Sequence, residues 1–152
     1  MDAGSRQGGL TLIEVLVALL VFSVGALGVA LLQLNALKYT DSALSSTQVS
    51  FIAQDLLERI RANPGANYTL TSLSQAPASG NPDVPRDQDL FDFAEQLRAA
   101  VGEDVQASVN ASGDRVTVTL EWNDSRAEGE EAQWQTLTLS SLVKAGSGVQ
   151  PL

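Results

Sequence analysis

The chain has 152 residues, enough for one domain and one extension, and 44% of them are apolar. Its formal net charge is −9 and its only lysines are Lys38 and Lys144, so it lacks the clustered cations that bind a phosphate backbone, and no nucleic-acid partner is expected. The absence of Cys and His removes disulfides, thiolate nucleophiles, histidine triads and almost every zinc or copper site; no catalytic motif, metal or cofactor is expected.

The first element is apolar. Residues 15–32 form a run of 18 without a charge. About 20 helical residues cross a hydrocarbon core of roughly 30 Å, so 10–32 is long enough to span a membrane, with Glu14 near its edge. A secretory signal peptide would need a basic leader and a shorter apolar run than this one, although Ser23–Gly25 loosely imitates a cleavage site. A plain signal anchor accounts for the length but treats Glu14 as an accident. Acids in spans are costly and functional by default.

A third reading rests on residue order. Gly8-Gly9 is followed by Leu10-Thr11-Leu12-Ile13-Glu14-Val15 and then the apolar run. This order resembles the class III signal of type IV pilins and type II secretion pseudopilins. The resemblance implies a leader, 1–9, that prepilin peptidase removes after Gly9 on the cytoplasmic side, followed by N-methylation of Leu10. It also implies that Glu14, fifth in the mature chain, serves subunit assembly. Leu10 stands where the family usually has Phe, and the leader, with Arg6 and Asp2, is less basic than usual.

Beyond the span, the periodicity predicts that the helix continues through 33–62 as an amphipathic half. Leu37, Leu44, Gln48, Ile52, Leu56 and Ile60, with Ala53 and Leu57 beside them, are expected on one face. Asp55 with Arg59 and Glu58 with Arg61 are spaced for ion pairs. Asn63-Pro64-Gly65 ends the helix. A helix over 11–62 would be about 75–80 Å long at 1.5 Å per residue. Gly25 and Gly28 lower its helix propensity by about 1 kcal/mol each, and their smallness suits close helix packing in a membrane.

Residues 63–86 are rich in Asn, Pro, Ser, Gly and Ala, and read as an irregular connection with one short strand near 68–73. A helix over about 88–101 is expected, capped by Asp87 or Asp89 and closed by Gly102. Leu90, Ala94, Leu97 and Val101 would share its inner face. Three strands follow, at about 104–110, 115–123 and 133–144. The alternation Val116, Val118, Leu120, Trp122 marks the middle one as half-buried. Residues 111–114 read as a turn and 124–132 as a charged loop. Trp134 is out of phase with Leu137, Leu139 and Val143, which suggests a bulge near Gln135. Trp122 and Trp134 are expected to pack in the core.

The expected fold class is therefore α+β: a long N-terminal helix packed on a small antiparallel meander, with 63–152 as the head. That order again resembles type IV pilins. Within the family, the stretches V-L-V-A-L-L-V-F, Asp55-Leu-Leu-Glu-Arg-Ile-Arg-Ala-Asn63 and Val116-Thr-Val-Thr-Leu-Glu-Trp122 resemble the PilV group of minor pilins. The start E-V-L-V-A-L is shared with I-type minor pseudopilins of type II secretion. The resemblance implies a priming or assembly subunit whose partners are prepilin peptidase, other minor pilins, the major pilin and the inner-membrane assembly platform. It would sit first in the inner membrane, head in the periplasm, in contact with the lipid bilayer, and later in the pilus. A single-pass anchored periplasmic binding domain is the other class of function open to the sequence.

Weaker signals have bland readings. Asp83, Asp87, Asp89 and Asp92 lack the order of a calcium loop. Glu128, Glu130 and Glu131 suit a solvated connection. The sequons at Asn67, Asn110 and Asn123 are short patterns that recur by chance.

Overall fold

The computed structural model describes residues 11–124 and 133–143. The chain divides into two compact units, Met1–Leu37 and Lys38–Leu152. The helix α1, Leu12–Ala62, enters both. In the first unit every described residue is exposed, Leu, Val and Phe side chains included, and the mean hydropathy there reaches 2.8. An apolar surface on all sides of a helix needs lipid or other apolar helices around it.

In the second unit α1 is amphipathic. Its buried residues are Ser45, Val49, Ala53, Leu56, Leu57 and Ile60. The expected stripe through Leu37, Leu44 and Gln48 is thus displaced: Leu44 is 54% exposed and Ser45 is buried. The physical reason lies in hydrogen bonding and size. Ser42, one turn before Ser45 and Ser46, donates its hydroxyl to Asp124, which turns this side of the helix towards the sheet. Small side chains there permit a close approach that a leucine would block.

The helix ends as the sequence requires. Asn63 N–H donates to the carbonyls of Arg59 and Ile60 at 3.1 and 3.2 Å, and Pro64 follows. Arg59 and Arg61 lie in the last turn, where cations meet the negative end of the helix dipole. The connection forms no full strand near 68–73. Leu70 alone bridges to Val109, through bonds of 2.9 and 2.7 Å, before a 3-10 turn at Leu73–Gln75.

The second helix, α2, spans Pro85–Val101 and starts three residues before the expected position. Proline at the first helical position has no N–H to leave unsatisfied, and its φ is already helical. Val84 precedes it without a side-chain cap, so neither Asp87 nor Asp89 is the cap. Leu90, Phe93, Ala94 and Leu97 are buried, and Gly102, at φ +100, closes the helix with its N–H on the Arg98 carbonyl at 2.9 Å.

The sheet contains β1, Gln106–Ser112, β2, Arg115–Asn123, and β3, Trp134–Leu142. It is antiparallel in the order β1-β2-β3. Ser112 pairs with Arg115 across Gly113-Asp114. Gly113 has φ +59 and Asp114 a negative φ, the arrangement of a type II′ hairpin, which matches strand twist. Val116, Val118, Leu120 and Trp122 face inward with Val105, Ala107 and Val109. They join α1, α2, Tyr68, Leu70 and Leu73 in one core.

No bulge interrupts β3. The register runs unbroken from Arg115↔Leu142 to Asn123↔Trp134. Gln135, Leu137, Leu139 and Ser141 face inward, so Trp134 faces outward and is 50% exposed. The expectation of a core Trp134 is overturned by its phase: it lies opposite Asn123, whereas Trp122, the buried tryptophan, lies opposite Gln135.

Candidate functional site

The candidate processing residues Gly9 and Leu10 lie outside the described residues. Glu14 lies in the first turn of α1 and is exposed. Its N–H donates to the Thr11 carbonyl at 3.0 Å, and Val15 N–H reaches the same oxygen at 3.3 Å. Thr11 and Glu14 have the spacing of a capping box, and an acid in a first turn favours the positive end of the helix dipole. Glu14 therefore has a local reason to be where it is, besides any partner. Further along the same unit, Gly25 and Gly28 face open space.

In the second unit a polar network fastens the end of α1. Arg59 is its hub, with Nε on Asp55 Oδ2 at 2.8 Å and Nη1 on Asp89 Oδ1 at 2.9 Å and Asp92 Oδ2 at 3.3 Å. The Tyr68 hydroxyl donates to the other Asp89 oxygen at 2.6 Å and accepts from Asn63 Nδ2 at 3.2 Å. Three parts of the chain thus meet on one carboxylate. The hydrogen bond to Asp89 holds the Arg59 guanidinium more firmly protonated than usual. Burial, then the bond to Asp89, pushes the Tyr68 phenol up to about 12. Two more ties reach the sheet: Arg61 Nε donates to Ser141 Oγ at 2.9 Å, and Ser42 donates to Asp124.

The two spaced ion pairs read from the sequence, Asp55–Arg59 and Glu58–Arg61, are present. Asp89 and Asp124 are the residues whose roles the sequence reading missed. Asp124 is 1% exposed and directly follows β2, where its N–H bonds the Gln133 carbonyl at 2.6 Å. A signal for it existed: 116, 118, 120, 122 and 124 share one phase, so a strand extended by one residue turns Asp124 inward. The rest of the charged stretch, 125–132, lies outside the described residues. Among the described residues no cluster of three or more Asp and Glu is placed to hold a metal ion.

What the structure defines is a chain with an exposed, mostly apolar helical start, an acid in its first helical turn, and a compact head. Comparison with known families carries this further. Residues 4–30 match the prokaryotic N-terminal methylation motif, and residues 31–82 match the family described as type IV pilin Tt1218, so the matched region runs without a gap from 4 to 82. The two matches are consistent with a type IV pilin-like protein with a prepilin-type start. No curated protein and no solved structure matches it. Pilin family proteins are structural subunits, and the prepilin motif implies processing by prepilin peptidase and assembly with other pilins.

Proposed function

We propose that the chain is a minor pilin, a structural subunit that helps prime or joins a type IV pilus and has no catalytic activity. The observation that carries this reading is the run Gly8-Gly9-Leu10-Thr11-Leu12-Ile13-Glu14 directly ahead of an apolar helix with no buried residue in its first unit. The minor class is supported by the PilV-like stretches at 55–63 and 116–122. In this reading the helix first anchors the chain in the inner membrane, with the head in the periplasm. It then leaves the bilayer for the filament, where other minor pilins and the major pilin replace lipid around it. The assembly platform mediates that transfer. Quantitative mass spectrometry of sheared filaments tests the class. The chain should be present at a small fraction of the bulk subunit, and its deletion should lower pilus number. Absence from the filaments, or abundance equal to the bulk subunit, contradicts it. A secretion defect with normal pili favours the I-type pseudopilin reading, which the shared E-V-L-V-A-L start supports.

Cleavage after Gly9 would give Leu10 a free, methylated amine, a cation at the membrane border. We infer that Glu14 pairs with this amine on a neighbouring subunit and so sets the axial step between them. Opposite charges attract more strongly in a low-dielectric layer than in water. Replacing Glu14 by Ala should lower incorporation into filaments while leaving membrane insertion intact. Wild-type incorporation of the Glu14→Ala protein would remove the assembly role and leave only the helix-start role.

A further inference from the structure

Among the described residues, the outer face of the sheet takes no part in the core or the polar network. Its residues follow from the register. Across the three strands, Ser108, Thr119 and Thr138 form one row, and Asn110, Thr117 and Ser140 form the next. Thr138 Oγ1 lies 3.5 Å from Thr119 Oγ1, and Arg115 Nη1 lies 3.4 Å from Ser140 Oγ. Among the described residues of this face, Arg115 and Glu121 carry the charges, one of each sign. The chain as a whole carries −9.

Two features give the face relief. Thr71 and Ser72, from the connection, help form a concavity of about 180 Å³ with Gln106, Ser108, Thr119 and Glu121. Trp134, 50% exposed, stands in the register row next to Glu121, on the adjacent strand. Such diagonal neighbours are about 7–8 Å apart, within reach of an aromatic side chain.

We propose that this face binds a neutral polysaccharide of pyranose units met outside the cell. A pyranose ring presents an apolar C–H face and a rim of hydroxyls. An indole plane covers the first, and side chains that both donate and accept satisfy the second. Glu121 accepts two hydroxyl protons, while Gln106 and Thr119 supply both donors and acceptors. The net charge of the chain sets the class. An anionic glycan would meet Glu121 within the field of an acidic chain, and a neutral one has no such cost. A chain of sugars lies along the hydroxyl rows, with one unit on Trp134 and another in the concavity.

The inference goes beyond the filament reading and does not need it. The test is calorimetric titration of the full-length chain in a polyoxyethylene detergent, which has no sugar head group. The probes are cellohexaose, chitohexaose and maltohexaose, with polygalacturonate as the anionic comparison. Saturable binding of at least one neutral glycan is expected, with none of the anionic one. Trp134→Ala should weaken it by about tenfold or more. Thr138→Lys, at an exposed position, should weaken it too, and provides a second variant if the first does not fold. Absence of binding by all three neutral glycans, a preference for polygalacturonate, or unchanged binding in both folded variants overturns the proposal. Loss of Trp134→Ala from filaments in the absence of any glycan binding overturns it as well, and assigns the face to contact between subunits.

Discussion

Asp89 is the residue on which the head's polar network turns. Each of its oxygens accepts from a different part of the chain, one from Arg59 and one from Tyr68. Removing it leaves a buried phenol and a half-buried guanidinium short of a partner, and such groups cost about 1–3 kcal/mol when unsatisfied. Asp89→Ala should therefore destabilise the protein by about 2 kcal/mol in urea unfolding, and Asp89→Asn, which still accepts from Tyr68, by less. Tyr68 gives a pH signature. Its folded pKa is raised to about 12, so the folded state keeps a proton that the unfolded chain releases near 10. The resulting stability is fully present below pH 10 and is lost as pH rises towards 12. The slope is at most one proton, about 1.4 kcal/mol per pH unit, and Tyr68→Phe should remove that part of it. None of this was legible in the sequence. An Asp two residues after Arg86-Asp87 has the local marks of a helix start, and only tertiary contact with Arg59, 30 positions earlier, gives it another role.

At the scale of elements, local pattern and tertiary context divided the information. The alternation of β2, the glycine that closes α2 and the proline that ends α1 all read correctly because each acts through its own backbone, whereas Pro85, which starts α2, went unread in favour of an Asp cap. The inner stripe of α1 did not. Counting leucines favoured Leu44, whereas a hydrogen bond from Ser42 to Asp124, 82 residues away, selects the neighbouring stripe. Trp134 misled for a similar reason. Its size suggested burial, but strand phase and the unbroken pairing with β2 put it outside. The β1–β2 turn is a sharper test of local chemistry. Gly113 has a left-handed φ of +59, where a Cβ costs about 1–2 kcal/mol, and a Cβ there meets no atom within 4 Å. Gly113→Ala should therefore destabilise by about 1 kcal/mol through backbone strain alone, measurable by urea unfolding. A wild-type midpoint would contradict the type II′ assignment.

For the whole molecule, the sequence reads as two solvents in one chain. The first unit exposes apolar side chains on every side, and the second buries a core of aliphatic and aromatic residues under a polar surface. In the proposed function, a membrane and later a filament interior would supply what the first unit lacks. In that reading the short motif G-L-T-L-I-E would mark the chain for both environments in turn. The central claim is that the chain matures as a prepilin, and intact-mass and N-terminal peptide spectrometry of the protein from its native membrane tests it most directly. The account predicts a mature chain that lacks residues 1–9 and begins at a Leu10 bearing one methyl group. A chain that retains Met1, or one cut near residue 25, would contradict it.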